Sequence, residues 1–441
     1  MHFRIFNPQK AAQLKNVYRD KQLKLYIVCR NEQKSLNFVR LSEKRMDNLI
    51  ELYRRLVART DLGFQRSISS QIRWENRMVG IMGARGVGKT TLVLQHIKSN
   101  FEGREDRALY VSLDHIWFAS NSVLELADDF SKTGGELLVL DEVHKYSSWS
   151  QELKNIYDFY PDLKVIFTGS SLLEILNSRA DLSRRALVYQ MNGLSFREFL
   201  KLETGKDLPI LTLDQILNNH VAEASQLLEQ IKPLQHFSAY LKNGYYPFYK
   251  EFGNMFDYQL RSVVNLILEI ELPQLRKFDI AYVSKMKQLL GIIADSVPFI
   301  PNVSKLSQKI GINRTTLLTY FHYLAESKIT ANLFSDNHGI SLLQKPEKLY
   351  LENTNLAFAL GNNVNEGNLR ETFFLNQLSN SHQITLPEKG DFLVDQKWLF
   401  EVGGKNKPSS DQSESNYIVA SDGIEIGNRN KIPLWLFGLL Y

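Results

Sequence analysis

The sequence is almost without cysteine: Cys29 is the single thiol in 441 residues. One thiol excludes an internal disulfide framework and a thiolate metal cluster. No apolar run reaches the roughly 18–20 residues of a membrane span. The first residues, MHFRIFNPQK, lack an apolar core followed by a small-residue cleavage site, so they do not read as a secretory signal. Repeats of fixed period and long low-complexity tracts are also missing. What remains is 44% hydrophobic and 23% charged residues, the balance of a soluble globular chain. The length suits two or three domains. These features predict a cytoplasmic protein with no membrane partner.

The net charge of +5 is unevenly spread. Residues 1–45 hold 11 Lys+Arg and 3 Asp+Glu, a balance of +8 that leaves −3 for the remainder. The basic character therefore belongs to a short solvated tail rather than to a nucleic-acid-binding body. Met46 opens MDNLIELYRRL, a clean helical start with Asp47 near its amino end. Residues 1–45 are expected to be a basic extension that is not native.

Beyond Met46, apolar positions recur at helical spacing (Leu49, Ile50, Leu52, Tyr53, Leu56). Four short apolar runs follow: 77–83, 108–114, 136–142 and 163–171. Alternating with helical stretches, they predict a parallel α/β sheet with crossover connections. From Leu194 to about Ile280 the pattern turns helical, with a break at NGYYP (243–247). Residues 281–330 read as three short helices, and strands return from Lys348.

Residues 83–90 read GARGVGKT, a full G-x-x-x-x-G-K-[ST] match between the strand VGIM and the helix TTLVLQHI. Gly83, Gly86 and Gly88 allow a tight loop, and its amides, Val87 included, can cradle phosphate oxygens at a helix amino terminus. Lys89 would reach the β- and γ-phosphates, Thr90 would offer its hydroxyl to magnesium, and Thr91 would sit near the α-phosphate. The cofactors implied are ATP and Mg2+. Asp141 and Glu142 end the apolar run ELLVLDE; the first is placed to hold the metal and the second to activate water. The next run, VIFTGSS, ends in Thr168, Ser170 and Ser171 at the same sheet edge, and Ser170 is the expected γ-phosphate sensor.

These segments, with LDEVHKYSSWSQELKNIYD and ADLSRRALVYQMNGLSFREFL, resemble the prokaryotic AAA-type P-loop ATPases that carry a C-terminal restriction-endonuclease-like domain. The resemblance covers roughly residues 50–441 and is strongest over 77–200, where Trp149 with Lys154 and the LSFREF box are its most distinctive marks. It implies a P-loop NTPase core at 46–200 and a helical lid at 201–280. It further implies a winged-helix-like segment at 281–345 and a nuclease-like α/β domain at 346–441. The family's frequent arginine falls on Arg185, an expected arginine finger or sensor.

Residues 303–329 follow helix–turn–helix logic: a helix to Gly311, a turn at Ile312-Asn313, then Arg314, Thr315 and Thr316 leading a second helix. Leu306, Ile310, Ile312, Leu317, Phe321 and Leu324 would build a three-helix core there. In the tail, Glu371, Asp391 and Glu401 match the carboxylates of a PD-(D/E)xK nuclease. Gly403 stands where the lysine belongs, and Lys405 lies about 6.6 Å further along a strand, so a degenerate nuclease fold is expected. The functions consistent with these motifs are ATP hydrolysis acting on DNA or a protein partner, a non-hydrolytic nucleotide-gated switch, and an ATP-regulated nuclease. An arginine finger offered to a neighbour would require a homo-oligomer.

Overall fold

The computed structural model describes residue 46 and residues 48–169, 182, 184–276, 280–335, 344–362, 364–408 and 416–441. Cys29, Ser170 and Ser171 lie outside the described residues, as does the whole basic tail. Residues 48–59 are helical. Leu49, Tyr53 and Val57 form the buried seam of that helix, whereas Leu52 and Leu56, expected on the same face, are exposed.

The first layered unit is a five-stranded sheet. Its strands are β1 (Met78–Met82), β2 (Ala108–Ser112), β3 (Leu137–Asp141), β4 (Lys164–Gly169) and β5 (Leu187–Gln190), in the order β2-β3-β4-β1-β5. Every neighbouring pair is parallel. β1 and β3 are buried along their whole length, as a sheet covered on both faces requires, and so they read as continuous apolar runs. Helices α1 (Lys89–Asn100), α2 (Val123–Lys132) and α3 (Trp149–Phe159) make the crossovers. The Ser122–Glu125 capping box starts α2, and Trp149 anchors α3 on Phe167 with ring centroids 6.0 Å apart. This is a P-loop NTPase α/β fold. It places β4 between β1 and β3, so the phosphate loop and the acidic strand end face each other across one intervening strand. β5 has no counterpart in the sequence reading.

The LSFREF box becomes α4 (Phe196–Thr204), capped by Ser195 and Glu198. Then come α5 (Leu213–Leu228), kinked at Asn219, α6 (Pro233–Ala239) and α7 (Phe256–Leu266). Two π-helical turns, Tyr240–Gly244 and Ile267–Glu271, interrupt this helical stretch.

Next are α8 (Val283–Ala294), α9 (Val303–Ile310) and α10 (Arg314–Glu326), followed by the antiparallel pair β6 (Thr330–Leu333) and β7 (Lys348–Leu351). Gly311 closes α9 in the left-handed region and Asn313 caps α10. Leu306, Ile310, Leu317, Phe321 and Leu324 are buried. Arg314 and Thr315 are exposed and Thr316 half-buried. Strand β7 falls beyond residue 345, where the nuclease-like domain was expected to begin.

The C-terminal unit holds α11 (Thr354–Leu360), α12 (Glu366–Leu378) and a second five-stranded sheet. Its strands are β8 (Ile384–Thr385), β9 (Phe392–Val394), β10 (Trp398–Gly403), β11 (Tyr417–Ser421) and β12 (Lys431–Pro433), ordered β12-β11-β10-β9-β8. Phe374 of α12 packs on Phe400 of β10 at 4.8 Å. Phe373 meets Phe237 at 4.9 Å, so this unit shares a core with the helical stretch. No helix among the described residues is long and apolar enough to cross a membrane.

Candidate functional site

Strand β1 ends in the loop Gly83–Gly88, and α1 begins at Lys89. Gly83 is required by close approach, since a Cβ there would stand 2.1 Å from the Met191 carbonyl oxygen. Gly86 is required twice over: its φ is +86°, and a Cβ would stand 2.6 Å from Phe248 Cε1. From behind, Arg66 donates through Nη1 to the Val87 carbonyl at 2.7 Å. Arg66 is itself buried and paired with Glu198 at 3.0 Å, which ties the loop to the LSFREF box.

Lys89 is buried and turns into the loop, donating from Nζ to the carbonyls of Gly83 (2.8 Å) and Ala84 (2.9 Å). Burial pushes its ammonium below the usual lysine range, and Glu142 and Asp141 pull it back. Thr90 Oγ1 donates to Asp141 Oδ2 at 2.6 Å, and the Tyr110 hydroxyl donates to the same oxygen at 2.6 Å. Thr168 donates to the other oxygen. Burial, then the Asp141 charge, pushes the Tyr110 phenol far up, so it stays a donor. The hydroxyl of α1 and the carboxylate of β3 thus converge on one point. A hydroxyl and a carboxylate there are hard oxygen donors of the kind Mg2+ takes, and the residues present fit that ion.

Glu142 follows with φ +55°, a left-handed conformation that a side-chain-bearing residue adopts only where its surroundings enforce it. Its Oε2 is buried without a hydrogen-bond partner. Burial raises the carboxyl above its ordinary range, with Lys89 opposing and Asp141 adding to the rise. His144 Nε2 lies 3.3 Å from that oxygen. Burial, with help from Lys145, drives the imidazole down to about 3, so it is neutral at neutral pH. Arg85, inside the loop, reaches Glu271 Oε1 at 2.8 Å and Glu142 Oε2 at 3.8 Å.

Residues 75–200 match the AAA domain family. The matched stretch contains the phosphate loop, Asp141, Glu142 and all five strands of the first sheet. An uncharacterized protein of Methanocaldococcus jannaschii, MJ1637, is 26% identical over 395 residues, covering 81% of this chain and 82% of its own. Among solved structures, AMPPCP-bound DnaA from Aquifex aeolicus aligns over 59% of this chain and 85% of its own, with 15% identity and a TM-score of 0.24. PCH-2 of C. elegans aligns over 57% and 62%, with 14% identity and a TM-score of 0.23. At those scores neither structure bears on what this chain does.

The structure brings Gly83, Gly86, Val87, Gly88, Lys89, Thr90, Asp141 and Glu142 together, with Thr91 in the first turn of α1. Arg185 is not with them. It forks onto Asp158 at 2.9 and 3.0 Å, its guanidinium 5.9 Å from the Tyr157 ring. Arg77, the residue before β1, lies over the same ring at 4.1 Å, so Arg185 sits at the amino ends of the strands. The loop is at their carboxyl ends, so the structure does not bring Arg185 to the phosphate loop of its own chain. Ser170 lies outside the described residues; Thr168 is the hydroxyl seen at the acidic strand end. The sequence reading missed Arg66, Tyr110, Arg85, His144 and Glu271. Arg85 and His144 lie inside the quoted motifs; no pattern signals Glu271.

The tail carries a second group of charged side chains. Lys407, not Lys405, points at the carboxylates: its Nζ lies 2.7 Å from Glu401 Oε1 and 3.8 Å from Asp391 Oδ2. The chain turns at Gly404 and folds back, so that a Cβ on Gly403 would stand 2.2 Å from Lys407 Cδ. Glu371 accepts from the Tyr350 hydroxyl at 2.7 Å, and burial raises its carboxyl.

Proposed function

We propose that this chain is an ATPase: it binds ATP with Mg2+ at the Gly83–Thr91 loop and hydrolyses it. The observation that carries the reading is the 2.6 Å contact between Thr90 Oγ1 and Asp141 Oδ2 beneath a complete phosphate loop. The loop amides and Lys89 would bind the phosphates. Thr90 and Asp141 would hold the metal, which when bound neutralises phosphate charge. Glu142, whose carboxyl is raised by burial, would orient water and accept its proton. The hydrolysis is read as driving movement of the helical stretch against the sheet, acting on DNA or a protein partner. The three helices and hairpin at 283–351, with Arg314 and Thr315 exposed at the start of α10, support a winged-helix reading and make double-stranded DNA the first partner to test. The C-terminal unit is read as a nuclease-like fold kept for packing. Arg185 enters only as a residue offered to a neighbouring copy, and a monomer in the presence of ATP would remove it.

The test is phosphate release from MgATP by wild type, Lys89→Ala and Glu142→Gln, each with and without double-stranded DNA. Turnover lost in both variants and raised by DNA supports a DNA-coupled ATPase. ATP retained by wild type and lost by Lys89→Ala, without turnover, moves the reading to a nucleotide-gated switch. A protein that neither binds nor hydrolyses ATP overturns both.

A further inference from the structure

The phosphate loop is held from the helical stretch at two points. A Cβ on Gly88 would stand 3.6 Å from Pro247 Cγ, and Phe248 lies against Gly86, so Pro247 and Phe248 sit directly on the loop. On the other side Glu271, 4% exposed, closes the π-helical turn Ile267–Glu271 and accepts from Arg85 Nη1 at 2.8 Å. π-Helical turns recur at functional sites because they aim one side chain out of helical register. Here the side chain aimed is a carboxylate, and it meets the charged side chain of the loop.

Around that contact Lys145 Nζ lies 3.9 Å from Glu271 Oε1 and His144 Nε2 lies 3.9 Å from it. Glu142, His144 and Glu271 bring ligand atoms within 4.8 Å of one another, a geometry that would admit a metal ion. The charge balance argues against one. Arg85, Lys145 and Lys89 already compensate Glu142, Glu271 and Asp141, and a divalent cation would overcharge the group. An incoming triphosphate does the reverse: it offers Arg85 negative oxygens that a guanidinium binds in a fork.

We propose that Glu271 and Arg85 form a latch that holds the helical stretch over the phosphate loop and that the triphosphate opens. This rests on the ATP reading above. Arg85 exchanges Glu271 for phosphate oxygens; the turn Ile267–Glu271 is released, and Glu142 loses a neighbouring cation that competes for its lone pairs. Glu271 is thus a positioning residue that opposes nucleotide entry. The latched fraction lowers apparent affinity by the fraction that is open. A hydrogen bond to a charged group is strong enough to set that factor on the order of tenfold.

The experiment uses the full chain, Glu271→Gln and Arg85→Ala. Amide exchange across residues 267–276 is followed without nucleotide, and a fluorescent ATP analogue is titrated with magnesium. The latch predicts faster exchange at 267–276 in both variants, and analogue binding about tenfold tighter in Glu271→Gln but not in Arg85→Ala, which loses its phosphate partner. Unchanged exchange in both variants overturns the latch whatever the titration shows. Faster exchange with unchanged or weaker binding in Glu271→Gln also overturns it, because the contact then does not oppose nucleotide. If wild type and both variants bind no analogue, the ATP reading itself has failed, and the latch with it. Should Glu271→Gln not fold, the Arg85→Ala exchange result stands alone, and no acceleration there refutes the proposal.

Discussion

Replacing Glu142 by glutamine should raise stability while abolishing turnover, and the two effects have separate physical origins. The Glu142 carboxyl is raised by burial, so its ionised form is less at home in the folded chain than in the unfolded one. Above its folded pKa the ionised group is therefore a destabilising one. Oε2 is buried without a hydrogen-bond donor, and a buried unsatisfied polar atom costs about 1–3 kcal/mol. A glutamine amide at that place carries no charge. It can also donate to His144 Nε2, 3.3 Å away and on an imidazole that is neutral at neutral pH. A gain of about 1–3 kcal/mol in a unit of this size corresponds to a melting point higher by at least about 2 °C. The sign has a pH signature. The wild type regains stability as pH falls through the raised pKa of Glu142 toward the ordinary carboxylate range, and the glutamine variant does not, so the gap between the two melting points should narrow on acidification. The assay is thermal melting of nucleotide-free protein from pH 8 to pH 5, beside phosphate release. A glutamine variant that melts at or below wild type at pH 8 would refute the account of Glu142 as a carboxylate held under strain. Wild-type turnover in that variant would refute its role as base.

Asp141→Asn should behave in the opposite sense, losing turnover and stability together. Its carboxylate accepts from Thr90, Tyr110 and Thr168, and an amide in its place sets donors against donors, at about 1–3 kcal/mol, read as a lower melting point. Arg66→Ala leaves Glu198, 2% exposed, without its cation, and should cost about 3–5 kcal/mol in chemical denaturation. Arg66 and the Ser67 amide hold Glu198 below the usual carboxylate range against the opposing effect of burial. That contribution is full above the unfolded pKa and is lost as pH falls through the folded one, so the variant's deficit should shrink in acid. Supercoiled plasmid should stay intact with magnesium or manganese. Lys407 already neutralises Glu401, and Tyr350 holds a Glu371 whose carboxyl is raised. Nicking that Glu401→Ala abolishes would show this wrong.

The phosphate loop and the acidic strand end were legible because each is a contiguous pattern: a glycine spacing that only a tight loop uses, and an apolar run that stops at a carboxylate. The strands β1 to β4 were legible for the same reason. β5 was not, because it is a four-residue edge strand with mostly exposed side chains and no periodicity to announce it. Lys407 was missed because strand alternation was carried past the end of the strand. β10 stops at Gly403, and the turn after it brings Lys407 back over the space the glycine leaves. Arg185 was carried over from a resemblance, and its partner, Asp158, is 27 residues away on another element. Glu271 meets Arg85 across 186 residues, and no local pattern encodes such a meeting. Contacts made by the chain folding back on itself are the part that sequence periodicity does not carry.

The LSFREF box has a consequence in time. Arg197 donates to the backbone oxygen of Tyr441 across 244 residues, and Ser195 donates to the same atom. Its neighbour Glu198 holds the Arg66 that supports the phosphate loop. At roughly 5–20 residues per second, a ribosome needs about 12–50 s to travel from one end of that contact to the other. For that interval the amino-terminal sheet exists with Arg197 short of its most distant acceptor and the ring of Phe237 uncovered by Phe373. The box that braces the loop is made before the middle of the chain and is finished only with Tyr441.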